Sequence, residues 1–282
     1  MQQEVDEKTK QQDIQKDRAE QREANERKAP SGKVLYRTTL QEGESELKRS
    51  TAALFWSGLA AGLSMGFSMI AEGLLNHYLP DAPWRPLVST FGYSMGFLIV
   101  ILARQQLFTE NTLTPILPLL AKKDLTTLLN VFRLWGVVLG SNLIGALALA
   151  LVAMHSSAFD DSVKAEFVKL GEHAMQYDFG TTLLRGIFAG WVIALMVWLL
   201  PFAESARVWV IILMTYLVGI AHFSHIIAGS IEVFSVAAVG QASWGAVFGG
   251  FVVPALLGNI LGGVTLVAVL NHAQVVAGDD SL

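Results

Sequence analysis

Hydrophobic residues cluster in six long stretches between residues 51 and 270, and shorter polar segments separate these stretches. Each stretch reaches the roughly 20 residues that an α-helix needs to cross the hydrocarbon core of a bilayer. The pattern therefore predicts an all-α membrane protein with six transmembrane helices. The predicted spans are 51–75, 87–120, 131–154, 181–201, 207–239 and 244–270.

The second and fifth stretches are too long for one straight crossing, and polar residues interrupt both of them. The first interruption begins at Arg104 and ends at Thr112, and the second begins at His222 and ends at Ser230. A broken helix is tolerated inside a bilayer only where its freed backbone groups are buried in protein or line a cavity. Matching breaks in two halves of a chain indicate a site near the bilayer midplane. We therefore predict 3+3 inverted repeats in which helices 2 and 5 are broken.

This architecture is aquaporin-like, but the sequence contains no Asn-Pro-Ala motif. Aquaporins need that motif at both half-helix tips, so a water or glycerol channel is disfavoured. Glycines at four-residue spacing, such as Gly58, Gly62 and Gly66, let neighbouring helices approach closely. We interpret most glycines in the spans, including Gly136 and Gly140, as packing positions.

Charged residues concentrate before the first stretch, because 11 of the 20 Lys and Arg residues lie in the first 49 positions. We divide the chain into a charged N-terminal tail at 1–48, a membrane domain at 49–272 and a short C-terminal tail at 273–282. Residues 1 to about 30 lack the apolar residues of a core, so we expect them to be solvated, as a disordered chain or a frayed helix. A docking site for a cytoplasmic partner is the alternative interpretation of this tail.

Basic residues between the spans predict the orientation, since Lys and Arg are retained on the cytoplasmic side. The N-terminal tail, Lys122 and Lys123 fall on one side, whereas Arg85, Lys164 and Lys169 fall on the other. We therefore expect a multi-pass protein of a bacterial inner membrane with both termini in the cytoplasm.

Composition disfavours several other classes of protein. Hydrophobic residues make up 52% of the chain and charged residues 16%, where an average soluble domain has about 25% charge. The absence of cysteine excludes disulfides, thiolate metal sites and cysteine nucleophiles. A formal net charge of −4 argues for no nucleic-acid partner. Without a metal-ligand cluster or a Gly-rich phosphate loop after a strand, we expect no enzyme, no metal and no cofactor.

Four polar motifs in the spans resemble those of the formate/nitrite transporter family. In chain order they are Leu107-Phe108-Thr109 in the second span, Ser141–Ala146 in the third, Phe223–Ala228 in the fifth and Pro254–Gly263 in the sixth. Each motif alone is weakly specific, but all four occur in the order and on the spans where the family has them. The charged N-terminal extension resembles that of one branch of the family.

The resemblance implies a homopentamer in the lipid bilayer, in which each protomer carries its own pore for small monovalent anions such as formate or nitrite. It places Thr109 at the tip of the first break, facing His225 in the second. It also places apolar constrictions at Phe97, Phe108 and Val218. The matched motifs add four more candidates for the substrate pathway, which are Leu107, Asn142, Phe223 and Asn259.

A histidine between two apolar constrictions suits the transport of a weak-acid anion. An isolated charge is costly to bury, and protonating formate or nitrite removes most of that cost. The unperturbed pKa of histidine, about 6.5, lets such a side chain supply the proton near neutral pH. We therefore expect His225 to control protonation of the substrate, with Thr109 as its hydrogen-bonding neighbour. A packed structural histidine is the alternative interpretation.

Ionisable residues inside membrane spans are functional candidates. In this chain they are Glu72, Arg104, Glu110, Arg133, Arg185 and Glu232. We expect two ion pairs among them, Arg104 with Glu110 and Arg185 with Glu232. If Glu110 instead faces the pore unpaired, it would repel anions and favour a cation or a neutral solute.

Three functions remain open on the sequence. The first is a channel or proton-linked transporter for small monovalent anions. The second is transport of another small solute on the same scaffold. The third is a non-conducting membrane protein whose N-terminal tail recruits a partner.

Overall fold

The computed structural model describes residues 31–277, and every regular element in that range is helical. The prediction of an all-α protein is therefore confirmed for this range, while the predictions for residues 1–30 and 278–282 lie outside it. In chain order the helices are α1 (Gly32–Leu47), α2 (Thr51–Tyr78), α3 (Arg85–Leu102), α4 (Ile116–Lys122), α5 (Leu125–His155), α6 (Asp161–Met175), α7 (Phe179–Leu199), α8 (Arg207–Ile220), α9 (Ile226–Ala238) and α10, which begins at Trp244 and ends at Ala277.

Five of these helices are long and apolar enough to cross a membrane, judged by length and composition: α2, α3, α5, α7 and α10. The predicted fifth span, 207–239, consists of two shorter helices, α8 and α9, with a non-helical segment between them. The predicted second span is also interrupted, because a segment with only a 3₁₀ turn at Glu110–Thr112 separates α3 from α4. Both interruptions lie where polar residues break the hydrophobic pattern.

The helices α2, α5, α7 and α10 each begin at a side-chain cap, which satisfies one of the free N–H groups of the first turn. The capping residues are Ser50, Asp124, Asp178 and Ser243, and each accepts a hydrogen bond from the N–H three residues later. Hydrogen bonds from the side chain and the backbone of Thr127 also hold the pKa of the Asp124 carboxyl below its usual value. The caps therefore fix the residue at which each of these four helices begins.

Helix α2 packs along α5, and α7 packs along α10 in the same manner. A Cβ atom added to Gly62 of α2 would lie 2.2 Å from the backbone oxygen of Asn142, and one added to Gly190 of α7 would lie 2.3 Å from that of Asn259. Glycine lets the backbones approach to this distance. Gly136 differs from the prediction, because an added Cβ there meets no atom of the described chain within 4 Å.

Helix α1 lies inside the segment that the sequence analysis assigns to the tail. Its Glu44 carboxylate lies 2.7 Å from Nζ of Lys122 at the end of α4. Arg133 of α5 donates hydrogen bonds to the carbonyls of Leu47 and Arg49, at 2.8 and 2.9 Å. These bonds satisfy carbonyl groups at the C-terminal end of α1. The end of α1 is therefore tied to the helical domain, and the domain boundary at residue 48 stays a prediction.

The polar connection between α5 and α7 forms helix α6, which packs on α9. The two helices are close enough that a Cβ added to Gly171 would lie 2.3 Å from the backbone oxygen of Glu232. Helix α6 thereby forms a wall beside the second break.

Candidate functional site

Helices α3 and α8 end in the same backbone geometry at the two breaks. Arg104 follows α3 with a φ of 53°, and His222 follows α8 with a φ of 51°. The next residues, Gln105 and Phe223, each donate an N–H to the carbonyl five residues earlier, at 2.9 Å in both cases. This is a Schellman motif, in which glycine usually occupies the left-handed position. Two non-glycine residues therefore hold a strained conformation where these helices stop.

Asn142 of α5 braces the first break with three hydrogen bonds. Its Nδ2 donates to the carbonyl of Gly58 at 2.7 Å and to that of Gln106 at 2.9 Å. Its Oδ1 accepts the N–H of Phe108 at 2.9 Å. All these groups are buried, and the bonds hold Leu107 between two anchored neighbours.

Asn259 of α10 braces the second break in the same way. Its Nδ2 donates to the carbonyl of Gly186 at 2.9 Å and to that of Ser224 at 2.8 Å. Its Oδ1 accepts the N–H of Ile226 at 2.9 Å. The residue held between these anchored neighbours is His225, at the position that a leucine occupies in the first break. Each asparagine thus anchors the backbone before and after the central residue of its break.

The two breaks meet at a contact between Thr109 and His225. Thr109 Oγ1 lies 2.8 Å from His225 Nε2, and the two residues are 0% and 1% exposed. His225 is also the N-cap of α9, because its Nδ1 accepts the N–H of Ala228 at 3.2 Å. Since Nδ1 accepts, the proton of a neutral imidazole sits on Nε2 and is donated to Thr109 Oγ1. The Thr109 hydroxyl proton then remains available for a further acceptor.

The two phenylalanines expected at the apolar constrictions pack differently near this contact. Phe97 packs edge-on against the His225 ring with the ring centroids 4.9 Å apart, and it is fully buried. Phe108 packs instead against Trp135 of α5, with the centroids 5.9 Å apart. The structure therefore brings Phe97 onto the histidine and directs Phe108 towards α5.

A cavity of about 280 Å³ lies beside the second break, and its lining includes the candidate pathway residues Val218, Phe223 and His225. Two carboxyl residues, Glu72 of α2 and Glu232 of α9, also line it. Both are ionisable residues of separate predicted spans, and the fold places them at one cavity.

Two more imidazole rings, besides that of His225, border the same cavity. His173 of α6 and His222 of the second break have ring centroids 4.3 Å apart. Burial lowers the pKa of His173, and the nearby Arg185 guanidinium lowers it further. Neither His173 nor Tyr93, which also lines the cavity, was among the candidate pathway residues. A lone tyrosine inside an apolar span is the signal that could have identified Tyr93.

The structure corrects the predicted pair of Arg104 with Glu110. Arg104 Nη2 lies 3.1 Å from Glu42 Oε1 of α1, and this ion pair is largely exposed. Glu110 keeps a buried Oε1 that accepts no hydrogen bond from residues 31–277. The arginine follows the last turn of α3, where α1 supplies a carboxylate that the sequence analysis had assigned to the tail.

The predicted pair of Arg185 with Glu232 is also absent from the described part of the chain. Arg185 Nη1 donates to the carbonyls of Ala221 and His222, at 3.2 and 3.0 Å. Its Cζ lies 3.8 Å from the centre of the Tyr177 ring. The carbonyl groups at the C-terminal end of α8 accept the hydrogen bonds of this arginine, so Arg185 does not pair with Glu232.

Comparison with known proteins places this geometry among membrane transporters. A family model described as "Formate/nitrite transporter" matches residues 33–273, which include both breaks and all four motifs. The chain is 40% identical over 261 residues to "Inner membrane protein YfdC" of Escherichia coli (strain K12), covering 92% of this chain and 84% of that protein.

Formate channels are among the more distant matches. The chain is 26% identical over 239 residues to "Formate channel BtFdhC" of Bacillus thuringiensis, covering 81% of this chain and 89% of that protein. The solved structure of a "Pentameric formate channel with formate bound" superposes with a TM-score of 0.68 at 20% identity, covering 80% of this chain and 98% of that chain. This last match shows that the fold is shared.

Proposed function

This chain belongs to the formate/nitrite transporter family, as its four motifs predict, and we propose that it conducts small monovalent anions such as formate or nitrite. The family match and the likeness to a formate channel support this class of substrate. The likeness to an inner membrane protein supports a bacterial inner membrane as its location. In this proposal the substrate pathway passes Thr109, His225 and the other pathway candidates that the four motifs indicate.

The proposed architecture has six transmembrane helices arranged as 3+3 inverted repeats within residues 49–272. In the first half these are α2, the broken α3–α4 and α5, and in the second half α7, the broken α8–α9 and α10. The matching asparagine bonds and the matching left-handed residues at the two breaks support this equivalence. The distribution of basic residues favours cytoplasmic termini.

We also propose a homopentamer with one pore in each protomer. The formate channel of similar fold is pentameric. Large apolar side chains are exposed on the described surface, among them Trp56, Phe132 and Leu213. Lipid or a neighbouring protomer would cover such residues in a membrane.

The observation that carries the proposed function is the 2.8 Å contact between Thr109 Oγ1 and His225 Nε2. It joins the two breaks at a buried point, and it leaves the Thr109 hydroxyl proton for an acceptor oxygen of the substrate. A carboxylate or nitrite oxygen is such an acceptor. The residues therefore offer an anion one hydrogen bond at the buried contact between the two breaks.

Proton transfer to the anion requires one further step at His225. A neutral imidazole cannot release its Nε2 proton without becoming an imidazolate, so it must first accept a proton at Nδ1. That atom accepts the Ala228 N–H at the start of α9, so this hydrogen bond must open first. The imidazolium can then pass its Nε2 proton through Thr109 to the anion, which crosses the apolar constrictions as a neutral acid.

The test is uptake of formate and nitrite into proteoliposomes between about pH 5 and pH 7, where a histidine in water titrates. His225→Asn is the informative variant, because asparagine can cap α9 but cannot titrate. We expect the wild type to gain flux as the pH falls, and the variant to lose about tenfold or more, since the charged anion must then cross unassisted.

His225→Ala serves as the second variant, because it removes both the cap and the imidazole. An equal and equally pH-dependent flux in wild type and His225→Asn would exclude the histidine from the mechanism. If the folded wild type conducts neither anion, the proposed substrate class is wrong.

A further inference from the structure

The cavity beside the second break has an acidic lining that the proposed anion pathway does not explain. Glu72 of α2 and Glu232 of α9 both line it, and each residue is only 8% exposed. Neither carboxyl group forms a hydrogen bond or an ion pair with any residue between 31 and 277. A buried carboxylate without donors is costly. An occupant of the cavity that donates hydrogen bonds to the two carboxylates would remove this cost.

A third polar group points to the same conclusion. Tyr93 of α3 lines the cavity and is 6% exposed, and its hydroxyl has no hydrogen-bonding partner in the described part of the chain. Ser89 and Thr90, one helical turn earlier, are also buried and border the cavity. Oxygen atoms from α2, α3 and α9 thus border one space.

Arg185, which was expected to pair with Glu232, is bound to other groups. Arg185 is absent from the lining, where its guanidinium would neutralise the two carboxyl groups. It donates instead to the carbonyls of Ala221 and His222 and lies over the Tyr177 ring. The cavity lining contains no Lys or Arg among residues 31–277. The lining also contains His173, His222 and His225, but a neutral imidazole supplies no positive charge, so a cation from solution would complete it.

We propose that this cavity binds a small monovalent ammonium-type cation between Glu72 and Glu232. Carboxylates only accept hydrogen bonds, and an ammonium group only donates them, so the two are complementary. The aromatic residues Tyr93 and Phe251 line the same space, and aromatic rings favour organic cations. A volume of about 280 Å³ holds an ammonium or methylammonium ion together with several water molecules.

This inference does not depend on the proposed anion function. It concerns a site beside His225, and it can be tested by binding in the absence of any transported anion. Failure of formate transport would leave the cation site standing, and failure of cation binding would leave the anion pathway standing.

The experiment measures thermal unfolding of the purified full-length protein in detergent with methylammonium chloride added. Sodium chloride and choline chloride at equal ionic strength are the salt controls. A ligand that binds only the folded state raises its unfolding temperature, so we expect a saturable rise of about 2 to 5 °C with methylammonium over both controls.

Glu72→Gln and Glu232→Gln keep the shape of each side chain and remove its charge, so each should abolish the rise. The matched control is Glu172→Gln, which removes an exposed acid from α6 outside the cavity lining and should keep the rise. If the wild type responds equally to methylammonium and sodium, or to neither, the proposal is overturned even if the glutamine variants fail to fold. Full retention of the rise in folded Glu72→Gln and Glu232→Gln would also overturn it.

Discussion

At the scale of single residues, His225 has two opposing hydrogen-bonding tasks. Its Nδ1 accepts the N–H of Ala228 in the first turn of α9, and its Nε2 faces the hydroxyl of Thr109. The bond at Nδ1 fixes the tautomer and the ring orientation, and the bond at Nε2 links the ring to Thr109 in the first break. The threonine hydroxyl is consequently the atom through which the imidazole can act on a solute.

We predict that Thr109→Val lowers formate flux by about tenfold or more, since the charged anion loses its only hydrogen bond at the buried contact. Valine preserves the shape of the side chain but leaves the Nε2 proton of His225 without an acceptor. We also expect a loss of about 1 to 3 kcal/mol in the free energy of unfolding, the usual cost of an unsatisfied buried donor. Proteoliposome uptake and denaturant unfolding measure the two effects.

Thr109→Ser is the matched control for that substitution, because it keeps the hydroxyl and removes only a methyl group. It should retain most of the flux and of the stability. Wild-type flux in Thr109→Val would show that the hydroxyl takes no part in conduction.

Residue motifs predict which side chains stand at the breaks, but not every contact that they make. The polar residues in two apolar stretches indicate the breaks, and the family resemblance places Thr109 and His225 in them. The partner of Arg104 is not indicated in this way, because a left-handed residue turns the chain out of its helix and Glu42 comes from a different helix. Asn142 and Asn259 were expected in the substrate pathway. Their buried side chains bond to backbone groups of the breaks and of helices α2 and α7.

At the scale of secondary-structure elements, the breaks depend on how α3 and α8 terminate. Each helix ends with a non-glycine residue in the left-handed region, which costs about 1 to 2 kcal/mol for an L-residue. The chain maintains this conformation because the Schellman bonds and the asparagine braces hold the following residues. The ends of these helices therefore store strain beside the candidate site.

Glycine at position 104 should relieve that strain. We predict that Arg104→Gly unfolds with a free energy about 1 kcal/mol higher than Arg104→Ala, because both lose the exposed ion pair with Glu42 and only glycine relaxes the backbone. The exposed pair itself contributes little, so Arg104→Ala should lie within about 1 kcal/mol of the wild type. Denaturant unfolding of the three proteins measures both differences. Equal stability of the two variants would mean that the left-handed turn is not strained.

Close helix packing gives a second prediction at this scale. Gly62→Ala should destabilise the protein by about 1 to 3 kcal/mol, because the added Cβ meets the Asn142 backbone oxygen and the helices must separate. Gly136→Ala is the matched control, since its Cβ meets nothing within 4 Å and alanine favours a helix. Thermal unfolding of the two variants compares them, and an equal loss in both would contradict the packing role of Gly62.

The hydrophobic pattern predicts long elements better than it predicts their irregularities. Apolar length locates α2, α5, α7 and α10, because each must bury or present a long nonpolar face. It does not reveal the π-helical stretches Phe248–Val252 and Val264–Val269 in α10, which depend on local backbone hydrogen bonding. It also does not reveal that α6 packs on α9, because that contact joins polar and apolar segments distant in sequence.

At the scale of the whole molecule, the two halves form their breaks with the same kinds of backbone and side-chain interaction. Each half stops a membrane helix with a left-handed residue and then anchors the chain to an asparagine on another helix. The anchored position carries Leu107 in one half and His225 in the other. Two breaks with matching backbone bonds therefore differ at their central side chain, which is an imidazole in only one of them.

If the halves are equivalent, the two asparagines should contribute equally to stability. We predict that Asn142→Ala and Asn259→Ala each lower the free energy of unfolding by about 2 kcal/mol or more, because each leaves one N–H and one carbonyl of a break buried without a partner. Asn76→Ala is the control, since its amide makes no side-chain hydrogen bond in the described chain and should lose less. Denaturant unfolding measures all three. A full loss in one brace variant and almost none in the other would mean that only one break depends on its asparagine, and the equivalence of the halves would then fail as a structural principle for this protein.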